Sequence, residues 1–89
     1  MQADKDKVSR LLKTVRGQLD GILKMIEDDK YCIDIANQIL SSDAILRKAL
    51  KEVMHGHIQG CVSGAFDSDE AQREEKIKEV INIFDKLNK

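Results

Sequence analysis

The chain has 89 residues, 35% of them charged, a net charge near −1, no proline and only 3% aromatic residues. That balance excludes a polybasic nucleic-acid binder spread over the whole chain, and no apolar run approaches the roughly 20 residues of a membrane span. The opening MQADKDK carries no apolar signal-peptide core, so the chain reads as cytosolic.

Leu, Ile, Val, Met and Ala supply the apolar content. This composition points to an all-α fold in one small domain, residues 1–89. A single core at this size is marginal, so association between copies is expected to add buried surface.

The first segment runs from about Asp4 to Glu27. Val8, Leu11, Leu12, Val15, Leu19, Ile22, Leu23 and Ile26 recur at three- and four-residue steps, the period of an amphipathic helix. Gly17 and Gly21 lie inside it; each costs about 1 kcal/mol against Ala. Their reading is open between a close approach by another helix and tolerated surface glycines. Glu27-Asp28-Asp29-Lys30 breaks the pattern as a short turn.

The second segment starts near Tyr31. Ile35, Ile39, Ile45, Leu46, Leu50, Val53 and Met54 carry it forward until Gly56, Gly60 and Gly64. About 30 residues at 1.5 Å each make a helix about 45 Å long, which one short neighbour cannot cover. A dimeric bundle is expected. After Asp67-Ser68-Asp69-Glu70, with Asp67 as N-cap and Glu70 three residues on, Ile77, Val80, Ile81, Phe84 and Leu87 define a third helix.

Three soft donors sit on the second helix: Cys32 near its start, His57 and Cys61 one turn apart near its end. Twenty-five residues of helix place Cys32 about 37 Å from His57, against metal–ligand bonds of about 2.0–2.3 Å. Within one chain the three cannot meet. Two copies packed antiparallel bring each start beside the other's end, so each dimer carries two equivalent sites. Thiolates select Cu(I) or Zn(II). Three ligands without an evident fourth lean toward trigonal Cu(I), while His55 or a carboxylate completes a zinc site. The positive end of a helix also favours a thiolate at Cys32. The plainer reading keeps both cysteines as small hydrophobes. A Cys–His nucleophilic pair lacks an orienting third group and a substrate pocket, which argues against an enzyme.

Basic residues crowd the first helix at Lys5, Lys7, Arg10, Lys13 and Arg16, with Arg10, Lys13 and Arg16 on one stripe. Arg47, Lys48 and Lys51 add a second cluster. Each alone reads as a solvated face. Repeated by symmetry, such stripes can track the phosphates of a nucleic acid. No helix-turn-helix or zinc-finger pattern is present.

LKTVRGQLDGILKMIEDDKYC, followed by the Cys–His–Cys set at steps of 25 and 4, resembles the copper-sensitive operon repressor family over nearly the whole chain. The resemblance implies an antiparallel helical-bundle dimer, a dimer of dimers, and a repressor that leaves operator DNA when its inducer binds. It places Cys32, His57 and Cys61 on Cu(I) ligand positions. Tyr31 and Glu79 fall where the resemblance implies residues that hydrogen-bond near the metal-bound imidazole. Nickel and cobalt sensors of this family add histidines, including one near the N-terminus, where this chain has none. Persulfide sensors keep both cysteines and lack the histidine. His57 therefore argues for copper, and the alternative within the family is a thiol-oxidation sensor bridging Cys32 and Cys61 across the dimer. Leu11 stands where the family often has a basic residue; Arg10 is adjacent.

Overall fold

The computed structural model describes residues 1–64 and 69–87. They form three helices, α1 (Lys5–Glu27), α2 (Cys32–Gly64) and α3 (Glu70–Leu87), and no strand is found among them. The all-α expectation and the three segments hold.

Helix α1 starts where Asp4 turns its carboxylate back onto the backbone amides of Asp6 and Lys7, at 3.1 Å each. This satisfies two of the amides that a helix start leaves without partners. Its end is a Schellman turn: the Lys30 amide donates to the Met25 carbonyl at 3.0 Å and the Asp29 amide to Ile26 at 3.1 Å. Asp29 occupies the left-handed position with φ 52°, as the EDDK break requires. Tyr31 then caps α2 through its carbonyl, which accepts from the Ile35 amide at 3.2 Å.

α1 and α2 form an antiparallel hairpin. Val8, Val15 and Ile22, seven residues apart, are the buried face of α1. They meet a stripe of small residues on α2 at the same spacing: Ser42, Ala49 and Gly56 are all buried. Small residues let the two backbones approach. The register is fixed by polar contacts as well. The Ser42 hydroxyl, 3% exposed, donates to Gln18 Oε1 at 2.7 Å, and Lys7 Nζ lies 2.9 Å from Glu52 Oε1.

The third helix begins at a different cap from the one expected. Asp69 Oδ1 accepts from the Gln72 amide at 2.7 Å, so Asp69 holds the first turn. Asp67 lies outside the described residues. α3 leans on α2 only loosely, leaving open grooves between them.

The resulting chain is a slab of 57 × 28 × 13 Å, one helix layer thick. Its radius of gyration is 17.5 Å, whereas a compact domain of this length has about 12 Å. It exposes 7066 Å², against about 5300 Å² for a compact chain of 10.1 kDa. Apolar stripes are among the exposed surface. Leu12, Leu19, Leu23 and Ile26 line the flank of α1, and Ile39 and Leu46 stand out from α2, 52% and 45% exposed. Ile77, Ile81 and Phe84 of α3 are exposed as well.

Asp29 is the one described non-glycine residue with positive φ, a conformation that costs an L-residue about 1 kcal/mol or more. Asp29→Gly is expected to stabilise the fold by up to about 1 kcal/mol, read as a rise of a few degrees in the thermal midpoint by circular dichroism. An unchanged or lower midpoint would mean that the turn is not under strain.

Candidate metal centre

Cys32 opens α2. Its thiol is free and exposed, and Tyr31 beside it is 67% exposed. Seven-, seven-, four-, seven- and four-residue steps from Cys32 lead through Ile39, Leu46 and Leu50 to His57 and Cys61. At 3.6 residues per turn these positions share one side of α2. It is a different side from Ser42, Ala49 and Gly56, which α1 covers. One stripe of positions thus carries Cys32 at one end and the positions of His57 and Cys61 at the other, with apolar residues between. The Cys61 backbone continues α2, while its side chain lies outside the described residues.

The separation read from the sequence stands. α2 is one helix of 33 residues from Cys32 through Gly64, so Cys32 and His57 are about 37 Å apart. Among the described residues of one chain no three His, Cys, Asp or Glu side chains gather as a metal site. The donor types fit a soft metal; their placement fits it only when two chains contribute. His55 is exposed two residues from His57 and faces another side of the helix.

His57 is half-buried, and the fold does bring Glu79 to it. Both line a groove of about 680 Å³ between α2 and α3, whose walls include Val53, Met54, Val80 and Ile83. Both also line a second groove of about 400 Å³, with Gln72, Glu75 and Lys76. Glu79 is thus the carboxylate on α3 that shares both grooves with the imidazole.

Sequence reasoning missed the segment ahead of α1. Residues 1–3 lie along the end of α2. A Cβ built on Gly56 would fall 2.5 Å from the Ala3 Cα, and one on Gly60 2.7 Å from the Gln2 Cδ. Within one chain the close approach occurs here, while Gly17 and Gly21 have nothing within 4 Å. The readable signal is the four-residue spacing of Gly56 and Gly60 around His57. Met1 and Gln2 consequently join the wall of the larger groove.

The candidate phosphate-contacting residues are exposed. Arg10, Lys13 and Arg16 point away from the α1 face that carries Val8 and Val15, and none is ion-paired with a described residue. Lys48 and Lys51 are likewise exposed. Arg47 differs: its Nε lies 3.1 Å from Asp43 Oδ2 one turn back, an exposed pair worth little in stability but partly offsetting the local charge. Lys7 is engaged by Glu52 and serves the hairpin.

Comparison with known proteins agrees with this architecture. Residues 4–86 match the metal-sensitive transcriptional repressor family. The copper-sensing transcriptional repressor CsoR of Bacillus subtilis is 34% identical over 86 residues, 97% of this chain and 83% of that protein. The CsoR of Mycobacterium tuberculosis is 46% identical over 54 residues, 61% of this chain and under half, 45%, of its own length. A crystal structure of CsoR with Cu(I) from Geobacillus thermodenitrificans superposes with a TM-score of 0.81 at 30% identity, covering 100% of this chain and 94% of that one. The nickel-responsive regulator InrS shares the fold, with a TM-score of 0.76 at 19% identity over 97% of this chain and 94% of that one. The chain belongs to the metal-sensitive transcriptional repressor family.

Proposed function

We propose that this chain is a Cu(I)-responsive repressor that binds operator DNA when metal-free and releases it on binding Cu(I). It works in the cytosol as a single-domain protomer of an antiparallel dimer, with two dimers pairing into a tetramer. The observation that carries this reading is the stripe on α2, with donor positions at both ends and, between them, Ile39 and Leu46 about half exposed. A second copy of α2 laid antiparallel covers Ile39 and Leu46. It sets Cys32 of the partner subunit beside His57 and Cys61. The slab exposes roughly 1,800 Å² beyond a compact chain, more than the about 800 Å² per partner that a standard interface covers. The copper-sensing relatives and the Cu(I)-bound CsoR support the choice of metal.

Cys32 of the partner subunit, His57 and Cys61 would hold Cu(I), which would supply a fixed tie across the subunit boundary. The chain's own residues convert that tie into a change of shape. His57 uses one ring nitrogen as a ligand, and the other then carries a proton. Glu79 accepts from that N–H, which fixes the tautomer and draws α3 toward α2. Tyr31 stands next to the ligand thiol at the α2 cap. The α2–α3 grooves are open enough for such closure. Arg10, Lys13 and Arg16, with Arg47 and Lys48, supply phosphate contacts once symmetry repeats them, and a shift in helix packing moves those stripes out of register. Coupling is reciprocal: DNA weakens Cu(I) binding by the factor by which Cu(I) weakens DNA binding.

An anaerobic operator gel-shift with and without Cu(I) tests this directly. The metal-free protein is expected to retard the operator and one Cu(I) per protomer to free it. Retardation unaffected by Cu(I) would sink the reading.

Cys32→Ala is expected to abolish tight Cu(I) binding while the metal-free variant keeps wild-type DNA affinity. If this variant still lets go of DNA on Cu(I) addition, the ligand assignment is wrong.

Glu79→Ala is expected to bind Cu(I) within about tenfold of wild type yet release DNA only weakly, measured by fluorescence anisotropy. Full release would remove Glu79 from the coupling.

A further inference from the structure

The larger groove holds two donors that the three-ligand set leaves unused. Met1 and Met54 line it together with His57. Met54 is one helical turn before His57 on α2. Met1 reaches the groove because residues 1–3 are seated on the end of α2. At Gly56 the neighbour is the backbone of Ala3, so this seating depends on the absence of a side chain. The remaining methionine, Met25, lies on α1 outside the groove. Thioethers, like thiolates, are soft donors that select Cu(I), and an open groove gives such an ion a way in from solvent.

We propose that Met1, Met54 and His57 form a second, weaker Cu(I) site, a loading position from which the ion moves to the thiolate site. The move is an exchange of ligands on Cu(I): His57 stays bound throughout, the two thioethers leave, and the thiolates of Cys61 and of the partner subunit's Cys32 replace them. No electron is transferred, and protons on the thiols pass to solvent. Neutral thioethers bind more weakly than thiolates, so the transfer runs downhill. This inference rests on the reading of the chain as a Cu(I) sensor, and it adds a route by which the ion arrives.

The test uses full-length Cys32→Ser/Cys61→Ser protein, in which the thiolates are gone, with Ag(I) as a redox-silent soft probe and methionine methyl groups labelled with ¹³C. One equivalent of Ag(I) is expected to shift the Met1 and Met54 methyl signals and leave Met25 in place. In the same background, Met54→Leu and Gly56→Ala are each expected to lower Ag(I) affinity by about tenfold. Leu keeps the apolar volume, and Ala displaces the Ala3 backbone while favouring helix. In protein with its cysteines intact, Met54→Leu is expected to slow Cu(I) uptake from a weak chelator several-fold without changing the final occupancy. Unmoved Met1 and Met54 signals, or a Met25 shift as large as theirs, would overturn the loading site while tight binding by unaltered protein left the thiolate reading intact. Equal Ag(I) affinities for the unaltered protein and the double-serine variant would instead overturn the thiolate reading, with the methyl shifts still reporting on the thioethers.

Discussion

The straightness of α2 is the constraint on which the rest depends. A helix of 33 residues does not fold back on itself, so groups at its two ends stay tens of ångströms apart. Soft donors placed at both ends of such a rod are useless to one chain and useful to a pair. On the proposed reading, the length of the helix converts a metal-binding problem into an assembly problem. The apolar residues between the donors are what a second rod needs in order to lie alongside. In the proposed dimer, binding and association use the same face, and an ion held there is placed to report on how the protomers pack.

The thin core follows from the same arrangement. Among the described residues of one chain, Val8, Val15, Ile22 and Ala49 are the buried hydrophobic ones, and none of the described side chains is fully enclosed. A protein that buried its apolar surface intramolecularly would leave nothing for the partner. This one keeps a rigid hairpin, pinned by the Ser42–Gln18 and Lys7–Glu52 contacts, and leaves its other faces open. α3 is the least anchored element, touching α2 around two grooves that His57 and Glu79 share. A helix held so lightly is suited to move when a new hydrogen bond forms at one of its residues. On the proposed reading, the rigid part sets where the donors are and the loose part carries the response.

Much of this was legible in the residues because helical periodicity is a strong signal over long segments. The three helices, the EDDK break and the Cys32–His57 separation all follow from spacing alone. The cap of α3 was misplaced because Asp67 and Asp69 offer the same carboxylate two residues apart, and only backbone geometry selects Asp69. The glycines were harder. Gly17 and Gly21 share a four-residue spacing with Gly56 and Gly60, yet only the latter pair has a neighbour against it. Periodicity says that a face is small; it does not say what lies there. The irregular residues 1–3 have no period at all, so their seat on α2 was invisible, and with it the presence of Met1 and Met54 in the groove that His57 lines. The basic residues were found as a stripe, but the pairing of Arg47 with Asp43 and of Lys7 with Glu52 needed coordinates.

Complementation between two defective chains tests the shared site most directly. Cys32→Ala protein keeps the imidazole end, and His57→Ala/Cys61→Ala protein keeps the other end. Neither forms an intact site with itself. Unfolded and refolded together, they produce heterodimers in which one of the two sites is whole, so Cu(I) capacity against a strong chelator is expected to recover to about a quarter of the wild-type value by random pairing. No recovery in a mixture shown to contain heterodimers, or tight binding by either chain alone, would contradict a site divided between subunits.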